Sequence, residues 1–182
     1  MNIIVKPYGG GLCYCRPDTT WERENKDFYS PESVNEIFWA PVMFVRISKA
    51  GKCIGSKFVS RYYDAFNFGA LLYSSDTDTA FASCIDHSSL IPFPLYNPVV
   101  MENEENTFEV FRNGEEIFRS NAVKEAVEEA ICQASRLTTL RIGDIVAVEL
   151  DVLRHLSSRD GEQTSLKGTF CEKDLFETGI IF

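Results

Sequence analysis

The segment from residue 35 to residue 76 constrains the fold most, because it indicates two buried strands joined by a turn and a helix. The first strand ends near Ile47 and is rich in aromatic and β-branched residues, which favour strands. Gly51 marks the turn, and apolar residues at helical spacing predict an amphipathic helix over residues 56–66. Residues 68–73 are apolar on both faces, which predicts a strand covered on both sides.

The remaining pattern predicts more strands and one further helix. Asn113 and Gly114 suit a two-residue type I′ turn, which predicts a β-hairpin over residues 109–118. Ser120 or Asn121 can cap the helix that follows, which carries one apolar stripe. Short strands are expected from there to the C-terminus. The predicted fold class is α+β, mainly β, with two short helices in a single domain over residues 1–182.

Proline and polar residues mark the irregular parts of the chain. Pro41 lies inside the first buried strand and has no N–H group to donate to a neighbouring strand. It therefore predicts an edge, a bulge or a local break at that position. Residues 77–106 are rich in Ser, Thr, Asp, Asn and Pro, which predicts mostly loop.

Composition excludes several kinds of partner. The chain has 182 residues and a formal net charge of −9, which repels phosphate backbones and anionic lipid surfaces. Nucleic acid and membranes are therefore not expected as partners. No apolar run has the length of a membrane-spanning helix and the N-terminus lacks the order of a signal peptide, so a cytoplasmic location is expected. The six cysteines are expected to be free thiols.

An ordered series of short motifs resembles the fumarylacetoacetate hydrolase (FAH) family. The Arg-Pro-Asp run at residues 16–18 resembles the family's Lys-Pro-Asp run, and Gly-Lys at Gly51 precedes Tyr-Tyr-Asp at Tyr62 as it does there. The Asn-Gly hairpin and the Thr-Leu-x-x-Gly-Asp sequence at residues 139–144 follow in the same order. The resemblance covers most of the chain. It implies an FAH-like mixed β-sheet roll or sandwich that forms a homodimer.

The same resemblance puts apolar residues where the family has its metal ligands. That family holds Mg²⁺ or a similar cation with two glutamates at alternate strand positions and one aspartate on a neighbouring strand. In this chain Ala40 and Val42 stand at the glutamate positions, and Leu71 stands at the aspartate position. None of the three side chains can coordinate a metal. The resemblance therefore implies that the metal site is lost, and no cofactor is expected.

Two other parts of the family's active site also differ here. The lid that carries a His and a Glu is missing between Tyr8 and Leu12, and residues 148–151 (Val-Glu-Leu-Asp) replace the Thr-Gly-Thr-Pro substrate loop. These departures favour a catalytically inactive protein with a binding, regulatory or assembly role. A homodimer, or a complex with an active relative, is expected. The ligand that the resemblance implies is a small 2-oxo acid-like molecule.

The alternative hypothesis is an active hydrolase or isomerase whose acidic site has moved. Asp76 and Asp78 alternate near the former pocket, and Glu149 and Asp151 are expected to share a strand face where the substrate loop stood. Either pair could hold Mg²⁺ or Mn²⁺, or serve as acid and base. The competing interpretation of these carboxylates is a solvated loop or strand edge.

Four further side chains are candidates for lining the former pocket. They are Arg16, Trp39, Tyr73 and Asp86. The sequence leaves open whether that pocket is an open cavity or is filled by large side chains such as Phe38, Trp39 or Tyr73.

Overall fold

The computed structural model describes residues 1–75, 81–103 and 105–182, whose strands form two sheets. The strands are β1 (Ile3–Lys6), β2 (Tyr14–Arg16), β3 (Trp21–Glu22), β4 (Phe28–Tyr29), β5 (Glu36–Ile47), β6 (Tyr63–Ser74), β7 (Ser89–Leu90), β8 (Phe108–Arg112), β9 (Glu115–Ser120), β10 (Ile145–Glu149), β11 (Arg154–Ser158), β12 (Thr164–Phe170) and β13 (Lys173–Ile181). The described residues also form one α-helix, α1 (Lys124–Leu137), and 3-10 helices at Asp18–Thr20, Ser56–Arg61 and Pro98–Glu102. The predicted α+β, mainly β fold class is confirmed.

The larger sheet has eight strands and is organised around β5 and β6. Its order is β2-β1-β10-β5-β6-β7-β3, and β11 also pairs with β5. The smaller sheet has the order β4-β13-β12-β8-β9. Parallel pairing of β1 with β10 and antiparallel pairing of β5 with β6 make the larger sheet mixed, as the sequence-based prediction requires.

The two faces of the larger sheet belong to different hydrophobic cores. One face packs against the smaller sheet and α1, and it includes Trp39 and Met43 of β5. Phe68 of β6 stacks on Phe108 of β8 with ring centroids 4.7 Å apart, which joins the two sheets. The opposite face carries a second core that includes Ala40 of β5. Alternation along the strand therefore decides which core each side chain enters.

The first predicted helix is wrong beyond Arg61. Only Ser56–Arg61 is helical, as a 3-10 helix, and the chain enters β6 at Tyr63. In β6 the residues predicted to end the helix pair with β5 instead, with Phe66 opposite Val45. The backbone hydrogen bonds of this long ladder and burial on both faces outweigh a short helical pattern whose residues also favour strands.

Pro41 marks the predicted local break, on one edge of β5 only. Pairing of β5 with β6 continues through Pro41, which lies opposite Ala70. On the other edge, β5 pairs with β10 from Val42 onward and with β11 up to Trp39. The missing N–H group of Pro41 therefore lies where the neighbouring strand changes.

The C-terminal half contains one confirmed and one incorrect local prediction. Asn113 and Gly114 connect β8 to β9 with φ values of 49° and 82°, as the predicted type I′ turn requires. The predicted cap of α1 is wrong, because the helix begins after Val123 without a side-chain cap. Ser120 belongs to β9, and the side chain of Asn121 donates to the carbonyl of Asn106. None of the helices in the described ranges is long and apolar enough to cross a bilayer.

Close packing at Gly69 gives a test of the approach of β7 to β6. A Cβ atom at Gly69 would lie 2.1 Å from the carbonyl oxygen of Leu90, so Gly69→Ala should lower the free energy of unfolding by about 1–3 kcal/mol. Gly55→Ala is the matched control, because a Cβ there has no heavy atom within 4 Å. Urea denaturation of both variants measures the difference, and equal stabilities would contradict this packing.

Candidate functional site

The three positions assigned to the lost metal ligands lie together inside the second core. Ala40 of β5 is directly opposite Leu71 of β6, and Val42 lies two residues further along the same face. All three side chains are fully buried. Their neighbours in this core are also apolar and include Phe44 and Ile145. The positions that the resemblance assigns to the metal ligands are therefore filled by buried hydrocarbon side chains.

A cavity of about 610 Å³ opens beside this filled position. Phe38 precedes Ala40 by two residues and Tyr73 follows Leu71 by two, so both point to the same face of the sheet. Both line the cavity, as do Pro7, Tyr14, Glu149 and Leu153. Glu149 ends β10 directly opposite Val42. The cavity is thus built on the same strands as the filled position and lies next to it.

Glu149 is held at the cavity wall by two tyrosine hydroxyls and one backbone amide. Tyr73 Oη donates to Glu149 Oε1 at 2.5 Å, and Tyr14 Oη donates to the same oxygen at 3.1 Å. The two hydroxyl oxygens are 2.6 Å apart. The N–H of Tyr8 donates to Glu149 Oε2 at 3.0 Å. This hydrogen bonding stabilises a carboxylate that is only 7% exposed.

Burial keeps both tyrosines in the neutral, hydrogen-bond-donating form. The pKa of Tyr73 is raised well above its ordinary value, first by burial and then by the neighbouring Tyr14. The pKa of Tyr14 is raised first by burial and then by the negative charge of Glu149. At neutral pH each hydroxyl therefore carries a proton, and Glu149 is the acceptor of the cluster.

Arg16 packs against the Tyr73 ring and connects β2 to β6 across the larger sheet. Its Nη2 reaches from β2 to the carbonyl of Leu72 in β6 at 2.9 Å and to Ser88 Oγ at 2.6 Å. The guanidinium lies over the Tyr73 ring, 4.8 Å from the centroid. Arg16 is 1% exposed, and its Nε and Nη1 have no hydrogen-bond partner among the described residues. The buried positive charge of Arg16 is thus separated from Glu149 by the ring of Tyr73.

Comparison with solved structures finds the same architecture in several proteins. A protein assigned to the FAH family from Yersinia pestis has a TM-score of 0.81 and 18% identity, covering 99% of this chain and 92% of its own. Fumarylpyruvate hydrolase from Pseudomonas aeruginosa, solved with Mn²⁺ and pyruvate, has a TM-score of 0.82 and 14% identity, covering 100% and 90%. A 5-carboxymethyl-2-hydroxymuconate delta-isomerase from Mycobacterium smegmatis has a TM-score of 0.82 and 11% identity, covering 99% and 78%.

This chain has the fumarylacetoacetate hydrolase fold. The resemblance inferred from its motifs is therefore confirmed for the fold, which is what similarity at these identities shows. No family model matches the sequence, and no curated protein matches it. The FAH fold here combines an apolar interior at Ala40, Val42 and Leu71 with an adjoining cavity that contains a carboxylate.

The structure places the four predicted pocket-lining residues in four different environments. Tyr73 lines the cavity of about 610 Å³. Arg16 is enclosed behind Tyr73 and is absent from the described lining. The prediction for Trp39 is wrong, because odd-numbered positions in this part of β5 face the other core. Asp86 lines a different cavity, of about 470 Å³, together with His87.

The predicted pair of Glu149 and Asp151 is not brought together on one strand face as expected. β10 ends at Glu149, so Asp151 lies beyond the strand and the shared strand face is a wrong prediction. Asp151 pairs with Arg154 and accepts a hydrogen bond from the N–H of Val152, which gives it partners separate from those of Glu149. The residues Asp76 and Asp78 lie outside the described residues. In the described ranges, no three His, Cys, Asp or Glu residues form a group that could hold a metal.

Sequence reasoning missed Tyr14, which completes the cluster around Glu149. The signal available was alternation, since Tyr14 and Arg16 are two residues apart in β2 and share a face. Their contacts could not be read from the sequence, because Tyr14 and Glu149 are separated by 135 positions. The turn at Tyr8, where the family's lid was judged to be missing, also reaches Glu149 through its backbone.

The buried tyrosines predict a loss of stability in alkali. Above about pH 10 an unfolded tyrosine ionises, while Tyr14 and Tyr73 stay neutral in the folded protein because their pKa values are raised. Stability is therefore unaffected by these groups below pH 10 and should fall above it. Each tyrosine should add about 1.4 kcal/mol per pH unit to the slope.

The variant Tyr73→Phe separates this contribution from general alkaline unfolding. Its free energy of unfolding, measured in urea, should fall by about 1 kcal/mol less than that of the wild type between pH 10 and pH 11, and the difference in slope should approach about 1.4 kcal/mol per pH unit where the unfolded tyrosine is fully ionised. The double variant Tyr14→Phe/Tyr73→Phe should flatten the slope further. Parallel curves for the three proteins would contradict the raised pKa values.

Proposed function

We propose that this protein is a divergent member of the FAH family that has lost the family's metal-dependent chemistry and has a binding, regulatory or assembly role. The observation that carries the proposal is the apolar packing at Ala40, Val42 and Leu71. These positions are adjacent in the register of β5 and β6, which supports their assignment to one former site. A hard cation needs oxygen ligands, and these side chains supply none.

The N-terminal turn gives the proposal independent support. The FAH-family lid with its His and Glu is replaced here by a short glycine-containing turn, which is tied down by Lys6 Nζ donating to the carbonyl of Gly11 at 2.9 Å. The same turn contacts Glu149 through Tyr8. A turn held in this way brings neither a histidine nor a glutamate of its own to the cavity. The proposed loss therefore includes the family's acid and base groups as well as its metal ligands.

The cluster around Glu149 favours one second candidate function, an active hydrolase or isomerase with a moved site. Glu149 and Tyr73 form a short hydrogen bond of 2.5 Å at the wall of the cavity, a geometry that an acid-base pair also uses. In this alternative the pair would act on a bound 2-oxo acid-like molecule, or Glu149 would help to hold Mg²⁺ or Mn²⁺. Turnover that disappears in Glu149→Gln and persists in Asp151→Asn would establish it.

Two further parts of the proposal concern partners. A homodimer, or a complex with an active relative, agrees with the exposure of large apolar side chains such as Leu12, Leu137 and Ile142. Sedimentation of the purified chain measures its mass in solution, and a monomer at every concentration would contradict the proposed homodimer. The small 2-oxo acid-like ligand stays a prediction of the resemblance; titration with phenylpyruvate tests it against the cationic ligand inferred below.

Metal titration tests the loss of chemistry directly. Isothermal calorimetry with Mg²⁺ and with Mn²⁺ should show no binding tighter than millimolar, and the protein should not turn over acylpyruvates or oxaloacetate. Stoichiometric uptake at micromolar concentration, together with turnover, would refute the proposal. Asp151→Asn and Glu149→Gln would then identify which carboxylate is responsible.

Restoring the carboxylates tests the assignment of the three positions. Ala40→Glu/Val42→Glu/Leu71→Asp introduces charge into an apolar interior and should lower stability by roughly 3–5 kcal/mol or more without metal. If the positions form one site, Mn²⁺ should recover part of this loss, about 2.7 kcal/mol at a hundredfold excess over its dissociation constant. The uncharged Ala40→Gln/Val42→Gln/Leu71→Asn variant is the control. Equal thermal shifts with Mn²⁺ in both variants would show that the assignment is wrong.

A further inference from the structure

We infer that the cavity beside Tyr73 binds a small organic amine with an aromatic or other apolar body, whose ammonium group donates a hydrogen bond to Glu149. The inference rests on the binding role proposed above and specifies the site and the chemical class of the ligand. It depends on the charge of the cavity, the direction of its hydrogen bonds and the character of its walls.

The charge of the cavity selects a cation over an anion. Glu149 lines it, and no Lys, Arg or His occurs among the described lining residues. Arg16 is enclosed behind the Tyr73 ring, so its charge offsets that of Glu149 without reaching a ligand in the cavity. A carboxylate or phosphate in this space would face a negative charge at low dielectric. An ammonium group would gain a charge-assisted hydrogen bond there.

The hydrogen bonds within the cluster leave only acceptors for a ligand. Tyr14 and Tyr73 have one hydroxyl proton each, and both protons are used in the contacts among Tyr14, Tyr73 and Glu149. Because the two hydroxyls share two protons among three contacts, they use at most two of the roughly four acceptor positions of the carboxylate, and the N–H of Tyr8 uses one more. The unused lone pairs of the cluster need a donor. A protonated amine supplies three donors and no acceptor.

The walls of the cavity fit the apolar part of such a ligand. Phe38, Pro7 and Leu153 line it together with the rings of the two tyrosines. Phe38 is held in place by an edge-on contact with His155, with ring centroids 5.5 Å apart. The volume of about 610 Å³ lies in the range of small-molecule sites. One aromatic ring with a short chain can therefore enter with its charged end toward Glu149.

Three probes that share a phenyl ring and differ in charge test the inference. They are 2-phenylethylamine, 2-phenylethanol and phenylpyruvate, each titrated into the full chain and followed by ligand-observed NMR and calorimetry. The amine should bind most tightly, the alcohol more weakly and phenylpyruvate least. Stronger binding of phenylpyruvate than of the amine would overturn the inference. Absence of amine binding up to millimolar concentration would overturn it as well.

Two variants that each remove one negative charge distinguish a direct contact with Glu149 from a general effect of net charge. Glu149→Gln should weaken binding of 2-phenylethylamine by about tenfold or more and leave 2-phenylethanol nearly unchanged. Asp151→Asn also removes one negative charge but has its own partners outside the cavity, so it should leave amine binding unchanged. An equal loss in both variants would overturn the contact with Glu149. Thermal unfolding checks that each variant is folded.

Cysteine labelling locates the bound probe without a mutation at the cluster. Cys15 is exposed and lines the cavity, whereas Cys53 is exposed and does not line it. Bound 2-phenylethylamine should slow maleimide labelling of Cys15 by about the fraction of sites occupied and leave Cys53 unchanged, as measured by peptide mass spectrometry. Leu153→Trp at the rim should remove this protection. Equal protection of both cysteines, or of neither at saturation, would place the amine elsewhere.

The outcomes also separate this inference from the proposed loss of chemistry. Amine binding without metal uptake or turnover supports both. Metal uptake with turnover refutes the loss of chemistry whether or not the amine binds. Absence of turnover together with preference for phenylpyruvate refutes only the ligand class.

Discussion

The antiparallel ladder between β5 and β6 is the constraint on which the rest of the structure depends. Its register is continuous across Pro41, so every side chain of the two strands is assigned to one of two faces. One face joins the smaller sheet and α1, and the other forms the interior that holds Ala40 and Leu71. A shift by one residue would move Phe38 and Tyr73 away from the cavity. The ladder thus determines which side chains fill the interior and which side chains line the open cavity.

Local signals in the sequence were sufficient for β5 and for the hairpin of β8 and β9. Asn113 and Gly114 determine their turn because few residues accept positive φ, and β-branched and aromatic residues identify β5. The helix predicted over residues 56–66 failed because a short apolar pattern does not report the partner strand that competes for the same backbone. Tertiary pairing decided that segment.

The candidate site was predictable only in part. Strand alternation assigns side chains to one face of the sheet, but contacts between residues far apart in the sequence cannot be read from local patterns. Assignment of Ala40 and Leu71 to one face follows from the motif order together with strand periodicity. The same periodicity excludes Trp39 from that face and therefore argues against the prediction that Trp39 lines the pocket. Tyr14 reaches Glu149 across most of the chain, and such a contact depends on the curling of the sheet. No local pattern encodes it.

The buried polar groups beside the filled position argue that this part of the fold has a use beyond stability. Ala40 and Leu71 show that this interior accepts hydrocarbon, which is the less costly solution for a folded domain. Two residues along the same strands, Tyr73 instead carries a short hydrogen bond to a buried carboxylate and lies under a guanidinium, two nitrogens of which have no hydrogen-bond partner in the described part of the chain. Removing a charge from water costs several kcal/mol when its partners are incomplete. Stability alone would favour apolar residues at Arg16 and Glu149 too, so the presence of these charges beside an open cavity supports the proposed recognition of a ligand.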